Sequence, residues 1–477
     1  MNELAITLDT KNGTYLYEQI YQYIKNEIVE GKLSSKERLP STRALAEHLQ
    51  IARSTVELAY EQLVSEGYIE AKPYKGYFVC PVGELYHLKK EQVIKEEEKK
   101  TEASYLFDLS PNGIEMKAFP FSTWRKISRN VLAEHQKDIF EPGHPKGDSA
   151  FRNTICHYLY SFRGVSCEPE QIIVGAGNDY LLVLLGKILG EHQKVAMENP
   201  TYKRAYRIFS SAGYDMITLP IDKNGMSMEH LKASEANIAY VMPSHQFPTG
   251  VVMPIGRRME LLKWAEEVKD RYLIEDDYDS EFRYKGKPIQ ALQAWDKKEK
   301  VIYMGTFSKS IAPAIRVSFM VLPKPLLELY EKNAGFLSST VSRIDQAILN
   351  EFIAGGHYER YLNKMRKIYR SKHDCLLECL RPFKHRFHIS GENAGLHIVL
   401  VSREKGISEE RLAKTAEKAG IKVYGMSDYF IKESVAKGQG NVCADAEDKC
   451  AKILLGYASL SEEEIREALM LLQKAWL

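Results

Sequence analysis

Most lysines are surface residues, so Lys309 matters only through its company. Gly305-Thr306-Phe307-Ser308-Lys309 follows the apolar run Val301-Ile302-Tyr303-Met304, which places the lysine at a strand end, where open α/β sheets bind ligands. An ammonium desolvated there loses its proton and can form a Schiff base with an aldehyde cofactor. Thr306 and Ser308 offer hydroxyls, and Arg316 a bidentate fork, to a nearby phosphate. A second set, Ile274-Glu275-Asp276-Asp277-Tyr278-Asp279, also closes an apolar run. Asp276 is suited to keep a pyridine nitrogen protonated, which makes the ring an electron sink, and Tyr278 to hydrogen-bond a ring oxygen. Asp277 and Asp279 read as caps of a following helix. Between a strand and a helix lies Val174-Gly175-Ala176-Gly177-Asn178-Asp179, where Ala176, Gly177 and Asn178 let backbone N–H groups and the helix dipole meet an anion. Glycine is common in such turns, so this signal is weak alone. Tyr202, in Glu198-Asn199-Pro200-Thr201-Tyr202, can stack on a flat ring.

The first 82 residues carry a different chemistry. A helix beginning Arg53-Ser54-Thr55 has at its start the residues that face base edges when such a helix enters a major groove. Arg38 and Arg43 offer guanidinium forks to guanine edges or phosphates. Lys75, with Lys72, flanks a hairpin turn where a wing touches the adjacent groove. Through Val82 there are 9 Lys+Arg against 11 Asp+Glu, so binding must come from one face. A helical protein-interaction module with solvated arginines is the competing reading.

The elements that must hold these residues follow from periodicity. Ile20, Ile24 and Ile28 recur at helical spacing, with Gly31 ending that helix. Ser41 is a good N-cap for a second helix burying Leu45 and Leu49; Gln50-Ile51 turns; a third helix runs from about Arg53 to Ser65. Tyr68–Ala71 and Gly76–Val79 alternate like two strands about the turn Pro73–Gly76. From Gln171 onward, strand-like and helical runs alternate, as in a mostly parallel sheet covered on both faces. From Pro323, long helical patterns and a final α+β portion predict a smaller lobe. Between the blocks, the mixed-charge run from Tyr86 to Ser104 buries nothing and reads as a tether or solvated helix. The expected domains are therefore 12–82, a linker 83–106, and 107–477 with its small lobe from about 325.

At 477 residues the chain fits two or three domains, and its net charge of +2 predicts neither nucleic-acid nor membrane binding. The lack of a long apolar stretch and of a secretory signal points to a cytoplasmic protein with no membrane contact. Seven irregularly placed cysteines fit free thiols, and Cys443 with Cys450 is too widely spaced for structural zinc, so no metal is expected.

The run GKLSSKERLPSTRALAEHLQIARSTVELAYEQLVSEGYIEAKPYKGYFV resembles the GntR-type winged helix from end to end. From about Leu109 to Leu477, the Gly177, Tyr202, Asp276 and Lys309 elements, in this order along the chain and with Gly143–Gly147 and Ser244–Gly250, resemble fold-type I, class I/II aminotransferases. Joined, the two halves resemble the MocR/GabR regulator family over nearly the whole chain. That resemblance implies a multidomain protein: an N-terminal winged helix-turn-helix plus an α/β transferase fold dependent on pyridoxal 5'-phosphate (PLP), with large and small lobes. It further implies PLP on Lys309, a double-stranded DNA operator, a head-to-tail homodimer and a small amine or amino-acid effector. Arg204 matches a position that relatives sensing γ-aminobutyrate use for the ligand carboxylate.

Two departures bear on function. Aminotransferases of this class carry asparagine before Pro-Thr-Gly; here the residue is Phe247, leaving Tyr278 alone or with Gln246 at the ring oxygen. Their C-terminal strand carries an arginine that grips the α-carboxylate, whereas this chain reads Ile453-Leu454-Leu455-Gly456-Tyr457. Losing a charge-assisted anchor removes roughly 1.5–3 kcal/mol and the orientation turnover needs. Lys452, on the same strand face, is a point-charge substitute. Ligand-switched transcription control is thus expected over physiological transamination. The alternatives are an aminotransferase with a fused DNA-binding domain and a regulator that senses PLP itself.

Overall fold

Ile20, Ile24 and Ile28 form one buried stripe of α1 (Leu16–Val29), and Val56, Ala59, Tyr60 and Leu63 form that of α3 (Arg53–Ser65). The two stripes meet over Leu45 of α2 (Thr42–Leu49). Left-handed Gln50 (φ 54°) makes the turn between α2 and α3. β1 (Ile69–Lys72) and β2 (Gly76–Val79) pair antiparallel, Ile69 opposite Val79, as the wing. The Ser41 hydroxyl accepts from Ala44 N at 3.2 Å and caps α2. Ser41→Ala is expected to cost about 1 kcal/mol, read as roughly fivefold faster hydrogen exchange of the α2 amides.

The computed structural model describes residues 6, 8–9, 14–81, 105–134, 138–284, 289–432 and 450–477. It forms two compact units, within 1–102 and 103–477. The expected linker 83–106 lies, up to residue 104, outside the described residues, as does Cys443.

The second unit runs in the order β3 (Phe107–Asp108), α4 (Phe121–Glu134), α5 (Ser149–Arg163), β4 (Ile172–Gly175), α6 (Asn178–Leu189), β5 (Lys194–Asn199), α7 (Lys203–Ser211), β6 (Asp215–Asp222), β7 (Gly225–Met226), α8 (Met228–Ala233), β8 (Ile238–Val241), α9 (Ile255–Glu266), β9 (Tyr272–Asp277), β10 (Val301–Thr306) and β11 (Ser318–Val321). These strands, apart from β3, form an eight-stranded sheet in the order β4-β11-β10-β9-β8-β5-β6-β7. Five neighbouring strands, β10 through β6, are parallel; β11 and β7 run the other way. β4, β8, β10 and β11 are almost wholly buried because helices cover both faces.

Next come α10 (Pro325–Asn333), α11 (Arg343–Ala354), α12 (His357–Cys379), β12 (Phe387–Ser390), β13 (His397–Ser402), α13 (Glu409–Lys418), β14 (Ile421–Lys422), β15 (Tyr424–Gly425), β16 (Lys452–Gly456) and α14 (Glu462–Trp476). A smaller antiparallel sheet, β12-β13-β16-β15, buries Ile398, Leu400, Ile453 and Leu455 with α12 and α14. β3 pairs parallel with β14, tying the start of this unit to the smaller lobe. The fold is thus a winged helix-turn-helix plus a fold-type I α/β transferase fold with large and small lobes.

Candidate cofactor site and DNA-facing surface

Strand register builds the first site. Gly175, Ser318 and Thr306 stand side by side across β4, β11 and β10, and Gly305 stands beside Asp277 of β9. The chain segments after these strand ends carry Gly177, Lys309 and Tyr278.

Lys309 is partly buried, and its Nζ donates to the Pro111 carbonyl at 3.2 Å and Asn112 Oδ1 at 3.5 Å. Burial lowers its ammonium to about 8, against the opposing pull of the Asp279 carboxylate. Roughly a tenth of the amine is then unprotonated at pH 7. Asp276 is buried and accepts from Asn178 Nδ2 at 3.2 Å and from the Tyr240 hydroxyl. Burial raises its carboxyl to about 6, and the Tyr240 and Asn178 hydrogen bonds oppose the rise. Burial, then the carboxylates of Asp279, Asp276 and Asp277, pushes the Tyr278 phenol up, so it keeps its proton. Its hydroxyl lies 3.0 Å from His245 Nδ1.

The small residues after β4 form a cradle at the start of α6. Gly177 has φ 91°, and a Cβ there would meet the Arg316 guanidinium at 2.6 Å. The Ala176 N–H donates to Thr340 Oγ1 at 3.1 Å. Thr306 Oγ1 accepts from Ser308 N and Ser318 Oγ, while Ser308 Oγ and Asn178 Oδ1 are buried without a partner. Tyr202 is half-buried just before α7, and its phenol is raised to about 12 by burial and by Asp179.

Several candidates are already engaged. Arg204 Nη1 pairs with Asp179 Oδ2 at 3.0 Å, and Arg316 Nη2 reaches the same oxygen at 3.4 Å. Gln246 spends its amide on Pro200 O, Phe247 O and Thr249, so it does not share Tyr278's place. Phe247 packs edge-on against Tyr278 and Tyr429. Leu454 is fully buried with Val399 and Met426. Among the described residues no helix begins at Asp277 or Asp279, so the capping role expected for them is corrected: Asp277 pairs with buried Arg163 at 2.7 Å and Asp279 with His245 at 2.9 Å. Pro111, Asn112 and Tyr240 also belong to the site, although a loop 198 residues from Lys309 and an apolar strand carry no local signal of the contact.

In the first unit, Arg53 and Ser54 are exposed and Thr55 half-buried at the start of α3. The Arg53 and Arg43 side chains each reach one turn along their own helix, to Glu57 at 2.8 Å and Glu47 at 3.0 Å. Exposed pairs of this kind are worth well under about 1 kcal/mol, so both guanidinium groups are available to a partner. Arg38 lies under the wing, its Nε 3.5 Å from where a Gly76 Cβ would be. Lys75 is exposed at the hairpin tip. Among the described residues no cluster could hold a metal ion, and no helix is long and apolar enough to cross a membrane.

Residues 16–79 match the family model of bacterial regulatory proteins of the gntR family, and residues 109–470 that of aminotransferase class I and II. GntR-type regulators bind DNA. The chain is 38% identical to the uncharacterized HTH-type transcriptional regulator YdeL of Bacillus subtilis, covering 97% of this chain and 96% of that one. It is 29% identical to the probable rhizopine catabolism regulatory protein MocR of Rhizobium meliloti, covering 99% and 96%. The structure is similar to Pyrococcus horikoshii kynurenine aminotransferase, solved in complex with PMP, with a TM-score of 0.67 and 25% identity over 78% of this chain and 91% of that one. A gntR-family winged helix followed by an aminotransferase class I and II domain, with regulators alike along the full length, places this chain in the MocR/GabR family of transcriptional regulators.

Proposed function

We infer that this regulator carries PLP on Lys309 and changes its hold on a double-stranded operator when a small amine or amino acid reaches that lysine. The observation that carries the reading is Lys309 itself, an amine lowered to about 8 among groups suited to a phosphorylated pyridine aldehyde. When bound, PLP supplies an aldehyde carbon that exchanges one amine for another. The residues present fit it. Asp276, buried beside Asn178, suits the ring nitrogen. Tyr278, protonated, has a donor for the ring oxygen. The orphaned Ser308 hydroxyl, Thr306, the Ala176-Gly177-Asn178 backbone and Arg316 suit the phosphate, which would compete with Asp179 for the guanidinium. Tyr202 suits a ring face.

Fully buried Leu454, where a carboxylate anchor is needed for turnover, favours sensing over catalysis. Arg204 serves an effector carboxylate once released from Asp179. The molecule acts in the cytoplasm as a homodimer, probing DNA with Arg38, Arg43, Arg53, Ser54, Thr55 and Lys75.

The test is to load the purified chain with PLP, titrate small amines, and follow visible absorbance and operator binding in the same samples. Coincident midpoints support the reading. A spectral change with no change in DNA affinity, or sustained conversion of amino acid and keto acid, overturns it. In the same assay, Arg53→Ala is expected to lose about 1–3 kcal/mol of specific operator binding, roughly five- to 150-fold, with an unchanged spectrum.

A further inference from the structure

The loop after β8 brings one more titratable group to the site, on the side facing the smaller lobe. His245 is 1% exposed in its side chain, and its Nδ1 lies 2.9 Å from Asp279 Oδ2 and 3.0 Å from the Tyr278 hydroxyl. With its one Nδ1 hydrogen given to the carboxylate, that nitrogen has no lone pair to accept from the phenol, whose own hydrogen is turned away from His245. The ring cannot drift, because Gly395 presses on its edge: a Cβ at Gly395 would fall 2.0 Å from His245 Cε1. Gly395 is itself held, its N–H donating to Phe282 O at 2.9 Å and its carbonyl accepting from the Tyr284 hydroxyl at 2.7 Å, with the Tyr457 hydroxyl at 2.8 Å. Beside it, a Cβ on Gly250 would lie 2.7 Å from the Gly391 Cα, so the large-lobe loop and the small-lobe loop meet through bare backbone. His245 Nε2 is buried at this seam without a partner. His397 of β13, 5.1 Å away between ring centres, donates from Nε2 to Pro248 O at 3.0 Å.

We propose that His245, anchored by Asp279 and wedged against Gly395 of the smaller lobe, is the positioning residue that aims the Tyr278 hydroxyl at the cofactor. The charged and titratable groups facing this dyad are Tyr278, His397 and, across the site, Lys309, whose ammonium feels the Asp279 charge. A shift of the smaller lobe moves Gly395, hence the imidazole, hence the phenol. The inference rests on the PLP reading above. A donor aimed at the ring oxygen draws charge from it, so the adjacent nitrogen joined to Lys309 holds its proton less tightly.

The experiment is a pH titration of the visible absorbance of the PLP-loaded full chain. His245→Phe and Tyr278→Phe are each expected to raise the midpoint by about one unit, and the double variant by no more than Tyr278→Phe alone. His245→Asn, whose Nδ2–H takes the place of Nδ1–H toward Asp279, stays near wild type. His245→Gln, with its amide nearer the Nε2 position, is the disruptive variant to use if His245→Phe does not fold. An unchanged midpoint in a folded disruptive variant, or a double variant exceeding Tyr278→Phe, overturns the role of His245 and leaves the PLP reading standing. Wild-type protein that takes up no PLP overturns the PLP reading itself.

Discussion

Lys309→Ala is expected to abolish the covalent hold on PLP: borohydride reduction followed by mass measurement leaves about one cofactor per wild-type chain and none on the variant. The visible absorbance band and the response of operator binding to amines disappear with it. Basal operator binding stays, since Arg53 and Arg43 lie in the other compact unit. The substitution also has a signature without cofactor. Burial lowers the Lys309 ammonium to about 8 from 10.5, so the folded state binds fewer protons than the unfolded chain between those values, and stability rises with pH across that window. Below pH 8 the lysine is protonated in both states, and the fold bears the full cost of the desolvated ammonium. The cofactor-free variant is therefore expected to be more stable than wild type at pH 7, and this advantage shrinks as pH rises from about 8 to 10.5. Denaturant unfolding at pH 7 and pH 10 measures it. An amine-responsive spectrum in Lys309→Ala would remove the lysine from its role.

What could be read in advance divides along the range of the interactions. The winged helix is written locally: the Ser41 cap, the Gln50 turn and the four-residue spacing of the α1 stripe each need only their neighbours, and α3 runs from Arg53 to Ser65 as its periodicity predicts. Asp276 and Lys309 were visible because charged residues closing apolar strands are unusual. Their partners were not. Lys309 meets Pro111 across 198 positions, and buried Lys372 meets Glu115 across 257. The pairing of β3 with β14, and the packing of α12 beneath, bring such segments together. The partner of Arg204 is not legible, because Asp179, 25 residues earlier, has no periodic relation to it. Asp277 and Asp279 looked like caps because the side chains that bury them come from α5 and the loop after β8.

That burial makes Arg163 the position of greatest expected consequence for the fold. Its guanidinium is 4% exposed and holds Asp277 Oδ2 at 2.7 Å, Ser244 Oγ at 2.6 Å and the Ile289 carbonyl, while Asp277 also accepts from the Tyr303 hydroxyl at 2.5 Å. Asp276 and Asp277 point to opposite faces of β9, so Arg163 fixes from behind the strand that presents Asp276 to the site. It also fixes, through Ser244, the loop that carries His245. Arg163→Met keeps the volume of the stem but strands a carboxylate in the interior, and loss of one partner from a buried pair costs about 3–5 kcal/mol. Denaturant unfolding of the second unit should lose that much. Adding Asp277→Asn removes the orphan charge while leaving an oxygen for Tyr303, so Arg163→Met with Asp277→Asn is expected to recover most of the loss. What remains is the cost of the unanswered Ser244 and Ile289 groups. A single variant within about 1 kcal/mol of wild type would mean that water reaches Asp277 and that β9 is held by its neighbours alone.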